Sequence, residues 1–317
     1  MQRKKLISIL SVIIILVVFA AMALASGSEE TTNAVSDATK EAVSDSTAAA
    51  DSTAASDSTS APANDKKAFK EAKITTGELF TWKNIKVSST GLEKDAHWLD
   101  DGVDYKFKFL VENNENDAYK VKLHAYAING CYESIAIGGG DVGAKKKLAD
   151  EITLRTSDYG MKKLGEITLF FSISEPDSYD SLYETSVVLK TNLYDEMDRI
   201  TAEGKELYNK DGIKIVAKNI TKGILSKDIM VYVENSTAGE IGVQLKSLSV
   251  NGFMCDGYLL STIVPNTYIY EDISVYDSFL EENGITDIES ATFKFRIWNA
   301  ETYKDIATTD EVEVKFK

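Results

Sequence analysis

From about residue 77 onward the chain states one pattern twice, and a chain that does this folds as two versions of one unit. Val111-Glu112-Asn113 recurs as Val233-Glu234-Asn235, 233 − 111 = 122 positions later, and Asn129-Gly130 recurs as Asn251-Gly252, 251 − 129 = 122. Thr168, Phe171, Ile173 and Tyr179 then meet Thr292, Phe295, Ile297 and Tyr303 at an offset of 292 − 168 = 124. Landmarks in one order, with a small drift in spacing, set the architecture as a repeat. No nucleophile, acid–base pair or metal-ligand spacing recurs with them, so what is duplicated reads as scaffold.

Both units alternate apolar and polar residues with the period of a strand. In the first, Tyr105, Phe107 and Phe109 alternate with Lys106 and Lys108, and Val121, Leu123 and Ala125 alternate with Lys122 and His124. In the second, Ile229, Val231 and Val233 alternate with Met230, Tyr232 and Glu234, and Phe293, Phe295 and Ile297 alternate with Lys294, Arg296 and Trp298. About seven short strands per unit, separated by turn residues, predict an all-β fold of two tandem sandwiches of antiparallel sheets. The Asn-Gly pairs predict tight hairpins, because glycine accepts positive φ without steric cost. One short helix is expected per unit, clearest at Asp277 to Glu282, capped by Asp277 or Ser278 and ended by Gly284. Tyr179 and Tyr303 are expected to pack across matching turns. Leu193, Met197 and Ile200 fall on one helical face between the units. The predicted boundaries are residues 77–192 for the first sandwich, 193–206 for a linker and 207–317 for the second.

Residues 1–25 read as a targeting segment. Arg3, Lys4 and Lys5 precede an uncharged stretch from Leu6 to Ala25, with Ala23-Leu24-Ala25 as a small-x-small cleavage site. The stretch is also long enough to cross a bilayer, so it is either a cleaved signal peptide or a membrane anchor through residues 6–25. In both cases the basic start sends the rest of the chain outward, to the extracellular side or the cell surface. Residues 26–76 follow as a stalk rich in Ser, Thr, Ala and Asp, with Asp-Ser-Thr at residues 45, 51 and 57. So few large apolar residues cannot offset the entropy of ordering, and a disordered stalk is expected.

The formal net charge of −15 makes nucleic acid a poor partner. Two histidines, His97 and His124, sit far apart, and Asp100, Asp101 and Asp104 do not match a calcium loop, so no metal or other cofactor is expected. Cys131 and Cys255 occupy non-equivalent positions, since 131 + 122 = 253, and their pairing is left open. The best candidates for contact with a ligand are aromatic. In Tyr268 to Tyr276 the even positions share a face opposite Ile269, Ile273 and Val275, so Tyr268, Tyr270 and Tyr276 would form an exposed stripe. Trp298 has the outward parity of its own strand. Such rings stack on sugars and anchor protein interfaces.

The second unit resembles immunoglobulin-like sandwiches of uncharacterised exported surface proteins from clostridia-like Gram-positive bacteria. The resemblance is carried by Leu207-Tyr208-Asn209-Lys210-Asp211-Gly212-Ile213-Lys214-Ile215, Val233-Glu234-Asn235, Ser249-Val250-Asn251-Gly252 and Phe293-Lys294-Phe295-Arg296-Ile297. It extends more weakly over residues 77–192, and the chain lacks the lipid-acceptor cysteine of the lipoprotein members. It implies immunoglobulin-like folds and brings no catalytic residues. The resulting expectation is a non-enzymatic binding or adhesion module of the bacterial surface, with an envelope glycan or protein as its ligand. The alternatives are a spacer without a ligand and an envelope enzyme with a site between the sandwiches.

Overall fold

The computed structural model of the protein describes residues 70–96, 103–134 and 138–316. All the described residues fall in one compact unit, Ala68–Lys317. The expected signal or anchor, most of the expected stalk, His97, Trp98, Asp100 and Asp101 lie outside the described residues.

The first half supplies β1 (Gly77–Trp82), β2 (Ile85–Ala96), β3 (Val103–Asn113), β4 (Tyr119–Ile128), β5 (Cys131–Glu133), β6 (Gly138–Val142), β7 (Lys147–Leu154), β8 (Glu166–Ser174) and β9 (Ser181–Lys190). The second supplies β10 (Lys205–Lys210), β11 (Ile213–Lys222), β12 (Ser226–Asn235), β13 (Ile241–Val250), β14 (Phe253–Cys255), β15 (Leu260–Ile263) and β16 (Thr267–Tyr276). These are followed by α1 (Asp277–Glu282), β17 (Ser290–Asn299), β18 (Asp305–Thr308) and β19 (Val312–Lys315). One pairing scheme serves both halves. The sheet β1-β2-β3-β7 corresponds to β10-β11-β12-β16, and β4, flanked by β5 and β6 on one side and by β8 on the other, corresponds to β13 flanked by β14, β15 and β17. With β1 and β10 as added hairpin arms, the chain crosses sheets after β3 and returns at β7, the Greek-key path of an immunoglobulin-like sandwich.

The alternation read from sequence forms the cores. Tyr105, Phe107, Phe109 and Val111 of β3 are 0–1% exposed, as are Phe293, Phe295 and Ile297 of β17. Burial of each such side chain contributes about 1.5–3 kcal/mol. His124 points to solvent, as its parity predicts. Asn129 and Gly130 have φ of 51° and 88°, and Asn251 and Gly252 have 50° and 86°, so both pairs make the two-residue turns that match strand twist.

The repeated asparagines hold backbone. Buried Asn113 donates through Nδ2 to the carbonyls of Asp117, Val142 and Gly143 and accepts from the Glu115 amide. Buried Asn235 donates to Gly239 and Ile263 and accepts from Thr237. The recurrence of Val-Glu-Asn is thus a recurrence of loop clamps.

Several expectations are corrected. Residues 70–76, expected as the end of the stalk, are built into the first sandwich. Ala72 is fully buried, its amide donates to the Tyr105 hydroxyl at 3.1 Å, and the Lys73 amide donates to Asn192 Oδ1 at 2.7 Å. The helix at Asp277–Glu282 forms where predicted and Gly284 follows it at φ 65°, but Tyr276 holds the N-cap position without a side-chain bond. The first half carries only a 3-10 turn at Ser157–Tyr159 in the matching place. Its connector is shorter, 165 − 154 = 11 residues against 289 − 276 = 13, and Gly160 turns left-handed directly after the turn. The linker is a 3-10 turn at Tyr194–Glu196 that runs into extended chain at Met197, not a helix. First-sandwich groups take its polar atoms: Asp198 Oδ2 accepts from the Lys162 and Lys163 amides, and the Asp198 carbonyl accepts from Asn129 Nδ2. Tyr179 and Tyr303 do not pack across their turns; they are 76% and 54% exposed.

The two sandwiches share a sheet. Tyr268 of β16 pairs in parallel with Cys131 of β5, which joins the inner sheets into one nine-stranded sheet. Val216, Tyr232 and Tyr268 from the second half pack into the buried cluster of the first. Cys131 is fully buried at this seam, where burial pushes its thiol strongly up, and both cysteines are free thiols.

Candidate functional site

The stripe expected along β16 divides. Tyr268 is buried, 7% exposed; its ring stacks on Tyr232 at 4.9 Å, and its hydroxyl accepts from the Ile200 amide and donates to the Asn129 carbonyl, both at 3.3 Å. Strand parity places it outward from its own core correctly, but the first sandwich covers that face. Tyr270 is half-buried, with its hydroxyl 3.4 Å from Asn219 Oδ1. Trp298 is also buried, 8% exposed. It lies over its cross-strand partner Gly242, where any Cβ would collide with the indole, and Arg296 lies 5.1 Å from the ring. Of the four predicted contact residues only Tyr276, 61% exposed, is offered freely to solvent.

Tyr276 lines an open cleft of about 580 Å³ with Asp272, Ser274, Asp256, Gly257 and Tyr258. The outward residues of β16 form one wall, and the connector from β14 to β15 forms the other. That connector sits close because residue 257 is glycine: a Cβ there would come within 2.8–3.0 Å of Leu248, Ile273 and Leu245. The tight approach holds Asp256 and Tyr258 opposite the strand. Tyr258 is 72% exposed, and Ser274 donates to Asp272 Oδ2 at 2.9 Å. Two phenol rings beside two carboxylates can stack on a sugar ring and accept its hydroxyls. Tyr258 was missed in the sequence because it lies in a connector without periodicity; Asp256-Gly257-Tyr258 was the available signal.

Beside the cleft, burial raises the Glu271 carboxyl above its ordinary range, and the nearby Glu133 and Asp272 charges add to this. Ser261 donates to both of its oxygens at 2.7 Å. A carboxyl raised in the folded state favours folding while protonated, and that contribution fades as pH rises through and beyond the unfolded value. Glu271→Gln is therefore expected to raise Tm at pH 7, with the gain vanishing near pH 4. Thermal melts at the two pH values check this, and a lower Tm at pH 7 would refute it.

At the joint, a cavity of about 430 Å³ is lined by Arg199, Tyr232, Glu234, Ser236 and Tyr268 among others. Glu234 is its one carboxylate, and it accepts from the hydroxyls of Tyr232 and Ser236 at 3.1 Å each. Among the described residues no three His, Cys, Asp or Glu side chains group as metal ligands, and no helix is long and apolar enough to cross a membrane.

No protein-family model matches the chain, and no curated protein matches it. Among solved structures, it is similar to a protein of unknown function from Porphyromonas gingivalis W83, at 14% identity over 73% of this chain and 99% of that one, with a TM-score of 0.20. It is similar to the YadV chaperone at 14% identity over 66% and 91% of the two chains, with a TM-score of 0.21. A red sea bream transglutaminase gives 12% identity over 71% of this chain and 30% of that one, with a TM-score of 0.19. Scores this low carry no functional inference, which leaves the chemistry of the cleft as the guide.

Proposed function

We propose that this protein is a non-enzymatic binding module on the outer face of a bacterial cell, secreted or held by residues 6–25, and that it grips an envelope glycan in the cleft of the second sandwich. The observation that carries this reading is the pair of exposed rings, Tyr258 and Tyr276, set beside Asp256 and Asp272 in an open cleft. Exposed aromatic surface is costly to leave in water and is where binding energy concentrates. The basic-then-apolar N-terminus and the resemblance to sandwiches of exported clostridia-like proteins support the location. A spacer without a ligand would be served by an evenly polar surface. Instead, Phe253, Met254, Tyr258 and Leu260 are each at least 45% exposed along one short stretch. An enzyme at the joint would need convergent carboxylates, and Glu234 alone faces that cavity.

The test is binding of the full chain to purified wall glycans, measured by calorimetry. Tyr258→Ala with Tyr276→Ala is expected to weaken binding about 10-fold or more, the effect of removing two stacking anchors. Both side chains are exposed, so Tm should hold. The absence of binding to any wall glycan, or equal affinity in the double variant, would overturn the proposal.

A further inference from the structure

A second cavity, of about 550 Å³, opens at one end of the second sandwich and shares no lining residue with the tyrosine cleft. Five lysines line it: Lys205 from β10, Lys218 and Lys222 from β11, Lys227 from β12 and Lys315 from β19. Two carboxylates, Asp277 and Asp287, leave an excess of 5 − 2 = 3 positive charges on its walls, in a chain whose net charge is −15. The register of β11 against β12 shifts between Ala217 and Ile220, and such a bulge re-aims side chains. Two lysines are tied down, Lys218 to the Thr201 carbonyl and Lys227 to the Thr286 carbonyl and Asp287. Among the described residues, the side chains of Lys205, Lys222 and Lys315 have no hydrogen bond or ion pair. Ile220, Ile288 and Phe316 add apolar surface.

Like charges gathered around one concavity repel until an anion enters. Lysine ammoniums are point charges with three donors each, suited to the oxygens of phosphate. The cavity is far larger than one phosphate, and its apolar surface suits a carbon skeleton. We infer that this groove binds a sugar or polyol carrying two or more phosphate groups. The inference does not rest on the tyrosine cleft, and either site can fail alone.

The probe is fructose 1,6-bisphosphate, titrated into the full chain by calorimetry at low salt, with orthophosphate and fructose as comparisons. Saturable binding of the bisphosphate alone is expected. It should weaken at least about 10-fold when salt is raised well above physiological strength. K205Q/K222Q/K315Q should lose about 10–100-fold in affinity, the combined effect of three exposed charge contacts. K106Q/K108Q/K147Q, which alters lysines on the first sandwich, should change little. No saturable binding, an unaffected groove variant, or orthophosphate binding as tightly as the bisphosphate would each overturn the inference.

Discussion

Tyr268→Ala is expected to lower the unfolding free energy by about 3–5 kcal/mol, the cost of deleting a large buried aromatic side chain. The ring fills the seam between the sandwiches, stacked on Tyr232 at 4.9 Å. It also packs under Gly130, where a Cβ would already stand 3.1 Å from the ring. Its removal empties a site that neither sandwich can close alone, and leaves the Ile200 amide and the Asn129 carbonyl without their hydroxyl partner. Tyr268→Phe keeps the ring and loses only those bonds, so about 1 kcal/mol is expected. Urea unfolding of the two variants separates packing from hydrogen bonding. A loss below 1 kcal/mol in the alanine variant would mean that the seam does not contribute to stability.

Asn129→Ala should cost a similar amount, about 3–5 kcal/mol, through a different mechanism. Asn129 is fully buried and serves four backbone groups: it accepts from the Gly165 and Glu166 amides and donates to the Lys163 and Asp198 carbonyls. Each buried group left unpaired costs about 1–3 kcal/mol. Alanine must also hold φ at 51°, a left-handed conformation that asparagine tolerates better. Asn251 makes the corresponding bonds with the Glu289 and Ser290 amides and the Asp287 carbonyl, but it is only half-buried and has no linker carbonyl to hold. Water can replace part of what is lost there, so Asn251→Ala should cost about 1–2 kcal/mol. Equal losses at the two positions would show that burial does not set the difference.

The strands, the Asn-Gly hairpins and the helix at Asp277–Glu282 were legible because each is specified by neighbours in sequence. Alternation reports which residues share a face. It does not report what later covers that face, which is why Tyr268 and Trp298 were expected outside and lie inside. Tyr268 is covered by the other sandwich, and Trp298 lies across a bare glycine on the adjoining strand. The linker failed for a related reason: its 3.6-residue spacing is present, but its polar atoms find partners in the first sandwich before a helix is completed. The lysine groove was hidden because its residues are scattered from position 205 to position 315. The tyrosine cleft was half legible, through Tyr276 alone.

The shared sheet has a consequence for fragments. Each sandwich ends in a strand whose open side would invite pairing with a stranger, and the Cys131–Tyr268 junction turns two such edges toward each other. Cutting the chain in the linker would leave the C-terminal piece with Val216, Tyr232 and Tyr268 bared next to the open edge of β16. That piece is a candidate for self-association and precipitation, while the intact tandem keeps the adhesive surface out of circulation.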